Sequence, residues 1–361
     1  MVPGQGVLRI DLSAIVANWR DLVARHGAPC AGVVKADGYG LGAATVAGAL
    51  RDAGCDTFFV AHLTEGLALR QALGAGPAII VLNGFPPGAD GEAGLWPVLN
   101  GLSDVEAHAA AGRAAGVARP AVLHLDTGMA RLGLDAGEQA RLAEERGRLD
   151  GLGLRYVMTH LACADEPGHA LNARQAARFG LAAARIAPGV KRSFANSSGL
   201  FLGPDYASAL ARPGCALYGI NPTPGEPNPM RQVVTLEVPV LQIRTIAAGD
   251  TVGYGASWAA KEPRRVATVA AGYADGYLRS LSGRSLALLR GRAVPLIGRV
   301  SMDLTTFDVT DVPEARVGDS MMLIGGPGNT PDDIAARCGT IGYEVLTSLG
   351  ARYARLHSGG A

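Results

Sequence analysis

From Cys30 to Gly219 the chain alternates short apolar runs with longer, Ala-rich segments, and no other feature restricts its fold as much. The runs Gly32–Lys35, Thr57–Ala61, Ala78–Leu82, Pro97–Asn100, Val122–Asp126, Leu154–His160, Arg192–Asn196 and Ala211–Ala216 have strand length. Between them Thr45–Ala53, Leu63–Leu73, Asp104–Ala115, Glu138–Arg148 and Ala170–Ile186 have helical length and apolar periodicity. Strands that alternate with helices form parallel βα units. Eight such units in about 200 residues predict an α/β fold of the (β/α)8 TIM barrel type. The last unit is the least regular, and no single residue requires the sheet to close.

A breaker-rich stretch follows, Asn221–Met230, with Pro222, Pro224, Pro227 and Pro229 inside it. Beyond it Val233–Ile246, Arg265–Ala271, Leu286–Leu289, Val294–Val300, Leu304–Val309 and Ser320–Ile324 read as strands divided by Gly and Asp turns, with a short helix near Pro331–Arg337. The expectation is a barrel over residues 1–225 and a mostly β C-terminal domain over 231–361, roughly the first ten residues being able to pair with the β domain.

A length of 361 residues suffices for two such domains. The 33 basic and 32 acidic residues nearly cancel, which argues against nucleic acid or an anionic membrane as partner, since both select basic patches. Met1 to Ile10 has no apolar core, so no secretory signal is expected, and no apolar run approaches the ~20 residues of a membrane span. The cysteines Cys30, Cys55, Cys163, Cys215 and Cys338 are odd in number and never spaced C-x-x-C, as suits a reducing cytoplasm. Among the seven histidines there is no H-E-x-x-H, and no metal is expected.

Lys35 ends the first apolar run and enters the glycine-rich turn A-D-G-Y-G-L-G. A lysine there lies where barrel enzymes keep their chemistry, and a desolvated amine is a nucleophile toward carbonyls. Alternatively, the side chain snorkels out of the strand end. Gly38, Gly40 and Ala43 also satisfy G-x-G-x-x-A, a dinucleotide-binding turn, but the acidic residue expected after the second strand is missing, because that strand runs into His62.

V-V-K-A-D-G-Y-G (Val33–Gly40) resembles the pyridoxal-phosphate attachment motif of alanine racemases. L-D-T-G-M-A-R-L-G (Leu125–Gly133), M-T-H-L-A (Met158–Ala162), A-N-S-S (Ala195–Ser198) and R-P-G-C-A-L-Y-G (Arg212–Gly219) follow in that family's order. So do V-G-Y-G-A (Val252–Ala256), A-G-Y-A-D-G (Ala271–Gly276), G-R-V-S-M-D (Gly298–Asp303) and I-G-Y-E (Ile341–Glu344). The resemblance implies a barrel with a C-terminal β domain, pyridoxal 5'-phosphate as cofactor, and a cytoplasmic homodimer with shared active sites. Alanine is the implied substrate, with serine or a broader range of amino acids as the alternative.

Racemisation removes a proton from Cα and returns one to the other face, so a base is needed on each side. The resemblance assigns one face to Lys35, which also carries the cofactor, and the other to Tyr254 of the partner subunit. A phenol ionises well above neutral pH, so such a base needs positive charge nearby. Arg131 and a His160–Arg212 pair are implied to supply it. Arg212 is further implied to face the pyridine nitrogen, where a guanidinium donates a hydrogen bond but keeps its proton. Asn196, Ser197, Gly214 and Cys215 fall in the loops after the seventh and eighth strands, where barrels commonly bind phosphate, and Tyr39 and Tyr343 would add phenolic donors. The substrate carboxylate falls to Arg131, whose planar fork suits it, and to the backbone at Met302. Tyr273 would lie at the entrance.

One position departs from the family. Many alanine racemases carry a carbamylated lysine two residues before D-T-G-M, and here His124 stands there, unable to form that stable anion. The expectation is a neutral imidazole that accepts a hydrogen bond from Arg131, or a chloride or water in the carbamate's place. Two other classes fit the chain less well. A non-catalytic pyridoxal-phosphate carrier would consist of the barrel alone, and a decarboxylase of basic amino acids would not carry the motifs around Arg212 and Tyr254.

Overall fold

In the computed structural model, which describes residues 5–86, 88–89 and 93–360, the first strand belongs to neither the barrel wall nor its lid. Strand β1 (Val7–Asp11) pairs with strands from the far end of the chain, introduced below. Residues 1–4 of the N-terminal stretch considered above lie outside the described residues.

The barrel wall is built from β2 (Gly32–Val33), β3 (Thr57–Val60), β4 (Ala78–Val81), β5 (Trp96–Leu99), β6 (Arg119–His124), β7 (Leu152–Met158) and β8 (Arg192–Ser193), side by side in that order and all parallel. Leu210 and Ala211 supply the eighth stave. Leu210 bridges Ser193 and Ala211 bridges Cys30, so the sheet closes on itself. This stave is shorter than the Ala211–Ala216 run read from sequence. Pro213 has no N–H to extend the ladder, and Cys215–Tyr218 winds into a 3-10 turn instead. Likewise the expected helix Glu138–Arg148 is a helix over Ala136–Glu144 followed by a separate 3-10 turn, Arg146–Leu149.

Ala31, Val33, Phe59, Ile80, Val98, Val122, Met158 and Leu210 meet in the lumen, and Ser193 is the buried contribution of β8. Fully burying each of the larger ones stabilises the fold by roughly 1.5–3 kcal/mol. A lumen filled in this way leaves room for ligands only beyond the strand ends.

A helix that the strand count passes over, Leu12–His26, covers the barrel beside the closure. Its signals are nonetheless in the sequence: Asp11 accepts from the Ala14 N–H at 2.9 Å, and Gly27 ends the helix in a left-handed conformation. Trp19 donates to the Cys30 carbonyl, and the fully buried Asn18 bonds Leu217 and both backbone groups of Arg231.

Beyond residue 233 the strands are β9 (Val234–Ile246), β10 (Thr251–Val252), β11 (Trp258–Ala259), β12 (Arg264–Val269), β13 (Leu286–Leu289), β14 (Arg292–Ile297), β15 (Thr305–Asp308), β16 (Ser320–Ile324) and β17 (Ala354–Ser358). The order β12-β15-β14-β13-β16-β9 returns to β12, because the second half of β9 pairs with it, so these six strands form a closed antiparallel barrel. The first half of β9 also carries β1, and β17 adds to β1 in parallel. Strict alternation makes this possible: Val234, Leu236, Val238 and Val240 point into the core. The helices Pro331–Cys338 and Gly342–Ser348 lie between β16 and β17. The second was not read from sequence, since seven residues are too few to show a period. No helix among the described residues is long and apolar enough to cross a membrane.

Gly276 tests how tightly these parts are docked. It has φ +85, and a Cβ there would lie 2.0 Å from the Ser348 carbonyl oxygen. Gly276→Ala should cost roughly 2–4 kcal/mol through strain and overpacking together. Gly283→Ala, at φ +66 with open space around it, should cost only about 1 kcal/mol. Chemical denaturation midpoints of the two variants give the comparison, and equal losses would show that the docking contact is not tight.

Candidate active site

The chain leaves β2 through an unusual conformation. Ala36, Asp37, Gly38, Tyr39 and Gly40 all have positive φ, between 53° and 81°, so Lys35 opens a left-handed turn rather than ending a strand. L-residues resist this by roughly 1–2 kcal/mol each. The turn is held by Gly38 N–H to Val34 O and Gly40 N–H to Ala36 O, both 2.8 Å, and by the Asp37 carboxylate accepting from Ala43 N–H at 2.9 Å. Glu65 adds a clamp. One of its oxygens accepts from Ala36 N–H at 2.7 Å, and the other from Ala61 and His62 N–H at 2.7 and 3.1 Å. The ends of β2 and β3 are thereby tied through one carboxylate. Burial, and then the Arg131 charge, lower the Lys35 pKa against an opposing pull from Glu65, which favours the neutral, nucleophilic amine.

Lys35 lies on a cavity of about 970 Å³ at the C-terminal mouth of the barrel. The same cavity is lined by the buried Arg212. Its guanidinium donates to the Ser193 hydroxyl and the Thr159 carbonyl, each at 2.6 Å, and lies 6.0 Å from the Phe59 ring centroid. Burial draws its pKa down to about 10, so it stays charged at neutral pH. No hydrogen bond joins His160 to Arg212 among the described residues. The guanidinium's donors go instead to Ser193 and Thr159, oxygens of the barrel wall. His160 instead responds through the field: burial first, then Arg212, Arg131, His124 and Lys35, hold its pKa well below the usual histidine value, so it is neutral.

The loops after β8 and after the eighth stave meet beside Tyr39. The Ser197 hydroxyl oxygen accepts from Gly214 N–H at 2.9 Å and Ala216 N–H at 3.3 Å, which leaves its proton to donate elsewhere. Asn196 ties its own loop by accepting from Gly199 N–H at 2.8 Å. Cys215 opens a 3-10 turn, so its N–H has no partner within that turn. Tyr39 stacks on Tyr218 at 4.5 Å and meets Tyr343 edge-on at 6.4 Å. Neither Tyr39 nor Tyr343 has a hydroxyl partner among the described residues, and both line the cavity. A Cβ on Gly214 would fall 2.3 Å from the Tyr39 hydroxyl, so only glycine leaves this cradle open.

Arg131 and His124 also line the cavity. His124 is buried and hydrogen-bonded through Nδ1 to Asn100 Oδ1 at 2.8 Å, with its pKa drawn down to about 4 by burial, Arg212 and Arg131 against Asp126. Tyr254 and Met302 stand apart. They are 71% and 52% exposed and absent from the cavity wall. Tyr273 is exposed too, its loop tied to that of Met302 by Tyr273 N–H to Ser301 O and Ala274 N–H to Met302 O. Asp303 pairs with Arg352.

A donor set of this kind fits pyridoxal phosphate. Unspent hydroxyls of Ser197, Tyr39 and Tyr343 suit a phosphate, a lysine amine whose pKa is lowered suits an aldehyde, and a buried guanidinium can face a ring nitrogen. Sequence reasoning missed Glu65, Ser193 and Asn100, which act on other residues and carry no motif of their own. Only Glu65 had a local signal, the His62-x-x-Glu65 capping pattern.

Residues 10–222 match the family described as "Alanine racemase, N-terminal domain", and residues 233–357 the one described as "Alanine racemase, C-terminal domain". A protein of Acidiphilium cryptum named alanine racemase is 56% identical over 97% of this chain and 98% of its own. One of Mesorhizobium japonicum, named a catabolic alanine racemase, is 51% identical over 98% and 93%. The crystal structure of alanine racemase from Bartonella henselae, with covalently bound pyridoxal phosphate, superposes with TM-score 0.95 at 40% identity, covering 99% of this chain and all of the other. With both parts matched in order over nearly its whole length, this chain belongs to the alanine racemase family, whose members depend on pyridoxal phosphate.

Proposed function

We propose that this protein interconverts L- and D-alanine, working in the cytoplasm as a homodimer whose sites each draw residues from both copies. The observation that carries this reading is the meeting, in one cavity, of the Lys35 amine with unspent anion donors and the guanidiniums of Arg131 and Arg212. The five free cysteines support the reducing compartment.

When bound, pyridoxal phosphate would draw electrons from the amino acid's Cα and make its C–H acidic enough to ionise. Lys35 would hold the cofactor, and its amine, once displaced by substrate, would exchange a proton with one face of Cα. Tyr254 of a second copy would serve the opposite face. Ser197, Tyr39 and Tyr343 would donate to the phosphate, with the backbone of Asn196, Gly214 and Cys215 around them. Arg212 would donate to the ring nitrogen without yielding its proton, leaving that nitrogen unprotonated and favouring simple return of the proton to Cα. Arg131 would grip the substrate carboxylate, assisted by the backbone of Met302 from the second copy. His160, neutral among these cations, would line the site without adding charge.

Reduction of the yellow holoprotein with borohydride should fix the cofactor to the Lys35 peptide, as mass spectrometry would read, and label on another lysine would overturn the assignment. Tyr254→Phe should slow proton abstraction from L-alanine by 10²–10⁴-fold, roughly the range of general-base catalysis, while D-alanine still exchanges its α-proton with deuterated solvent. Equal exchange from both enantiomers would remove the two-base assignment. Mixing inactive Lys35→Ala and Tyr254→Phe proteins should restore activity, since some mixed dimers contain one intact site. No recovery after demonstrated subunit exchange would refute the shared site.

A further inference from the structure

The fully buried side chain of Gln175, on the helix Ala170–Ile186, touches the loops after β6 and β7 at once. Its Oε1 accepts from Ala162 N–H at 2.9 Å, and its Nε2 donates to the His160 carbonyl at 2.8 Å. Turning the amide over would set donor against donor and acceptor against acceptor, so its orientation is fixed. The second hydrogen on Nε2 goes to the Thr127 hydroxyl, 3.2 Å away. Thr127 bonds the Thr159 hydroxyl at 2.8 Å, and the Thr159 carbonyl receives Arg212. Gln175, Thr127 and Thr159 do not line the cavity, yet Arg131 and His160 on the same two loops do. The turn that carries Arg131 is rigid in itself. The Asp126 carboxylate gathers the N–H groups of Gly128, Met129 and Ala130 at 2.9–3.2 Å, and Ala130 is held at φ 54°. Gly128 lies against the helix, where a Cβ would be 3.2 Å from Leu171 Cδ1, and Arg178 donates to the Thr127 carbonyl at 3.2 Å. Beyond the last ladder bond, Leu125 N–H to Met158 O, the hydrogen bonds from this turn to the loop after β7 all run through Thr127 among the described residues.

We infer that Gln175 is a positioning residue, a bridge that sets the spacing between Arg131 on one loop and the Thr159–His160 segment that receives Arg212 on the next. This rests on the reading that Arg131 grips the substrate carboxylate while Arg212 faces the cofactor ring. An amino acid that presents its Cα to the cofactor while its carboxylate is gripped needs those two guanidiniums at a fixed separation, since a misplacement of about 1 Å can cost roughly 10²-fold. A buried neutral amide suits the task. It bonds both loops and adds no charge to a cavity already lined by Lys35, Arg131 and Arg212.

Propionate, which has alanine's carboxylate and carbon chain but no amine, reads the carboxylate grip apart from the chemistry when titrated calorimetrically into the holoprotein. Thr127→Val cuts the bridge but leaves Gln175 bonded to His160 and Ala162. It should weaken propionate about tenfold and raise KM for L-alanine by a similar factor, with kcat little changed. Thr127→Ser, which keeps the hydroxyl, should behave like the unmodified protein. Gln175→Met, of similar shape, should lose as much as Thr127→Val or more. The double variant should lose less than the product of the two single losses, since both cut one bridge. Unchanged propionate affinity in Thr127→Val, an equal loss in Thr127→Ser, or losses that multiply would overturn the inference. So would a loss confined to kcat at unchanged KM, the mark of a merely destabilised protein. Should Gln175→Met fail to fold, the two Thr127 variants decide. Arg131→Lys separates the bridge from the reading beneath it. If that variant binds propionate as the unmodified protein does, the carboxylate assignment fails. If it binds more weakly while Thr127→Val does not, only the bridge fails.

Discussion

The left-handed turn Ala36–Gly40 is the constraint on which the rest of the site depends. Three of its five residues, Ala36, Asp37 and Tyr39, are not glycine, so the strain comes to several kcal/mol at roughly 1–2 each. Such a conformation persists only where its surroundings over-determine it. Part of the restraint is local, from Asp37 and Glu65. The remainder arrives from the other end of the chain: Arg355 on β17 donates to the Gly40 carbonyl at 3.2 Å, and His357 bonds the Leu41 carbonyl at 2.7 Å. Gly40 meets the helix Gly342–Ser348 so closely that a Cβ would lie 2.8 Å from the Leu346 oxygen. The same helix carries Tyr343. Lys35, Tyr39 and Tyr343 are therefore placed by one docking contact, on the side of the second domain where β1 joins β17 to β9.

Charge follows a similar economy of placement. Lys35, Arg131, Arg212, His124 and His160 all face one cavity. Five positive charges there would repel each other at a cost the fold could not carry. Burial eases this by neutralising the weakest bases, for both histidines are held well below their usual pKa, and it also draws the Lys35 pKa down. Arg212 cannot yield its proton at neutral pH, so it is the group that receives protein acceptors, Ser193 and Thr159. The cavity keeps enough positive potential to attract a phosphate and a carboxylate, without holding a cluster of unpaired cations when empty of them.

How much of this was legible in the sequence depends on the kind of signal. Alternating apolar runs located seven of the eight staves and six strands of the second barrel to within a few residues, because burial imposes a period. The eighth stave was misplaced because a two-residue bridge before a proline has no period at all. Lys35 was noticed for its position, yet its backbone was read as strand end, since nothing in V-V-K-A-D-G-Y-G announces that alanine, aspartate and tyrosine will share a left-handed conformation with glycine. The cavity-lining positions could be named because they sit in motifs. Asn100 and Ser193 could not, because their partners lie 24 and 19 residues away, and the capping pattern of Glu65 points to His62 but not to Ala36, 29 residues away.

The exposed surface around Tyr254 is built with the same rigidity as the cavity. Gly253 and Gly255 have φ 75° and 71°, Ala256 joins them at 46°, and the Arg299 guanidinium packs within 3.2 Å of where a Cβ on Gly255 would stand. The loop carrying Met302 is bonded to the one carrying Tyr273, and Asp275 accepts from Gly272 N–H at 3.0 Å to close that turn. The glycines adopt this region freely, so the strain at this turn is that of Ala256. A turn so closely specified beside an exposed phenol is better understood as preorganisation, which lowers the cost of ordering a contact when a second surface arrives. Under the shared-site proposal that surface is the cavity of another copy. Its rim is electropositive through Arg131 and lacks the second base that the chemistry needs.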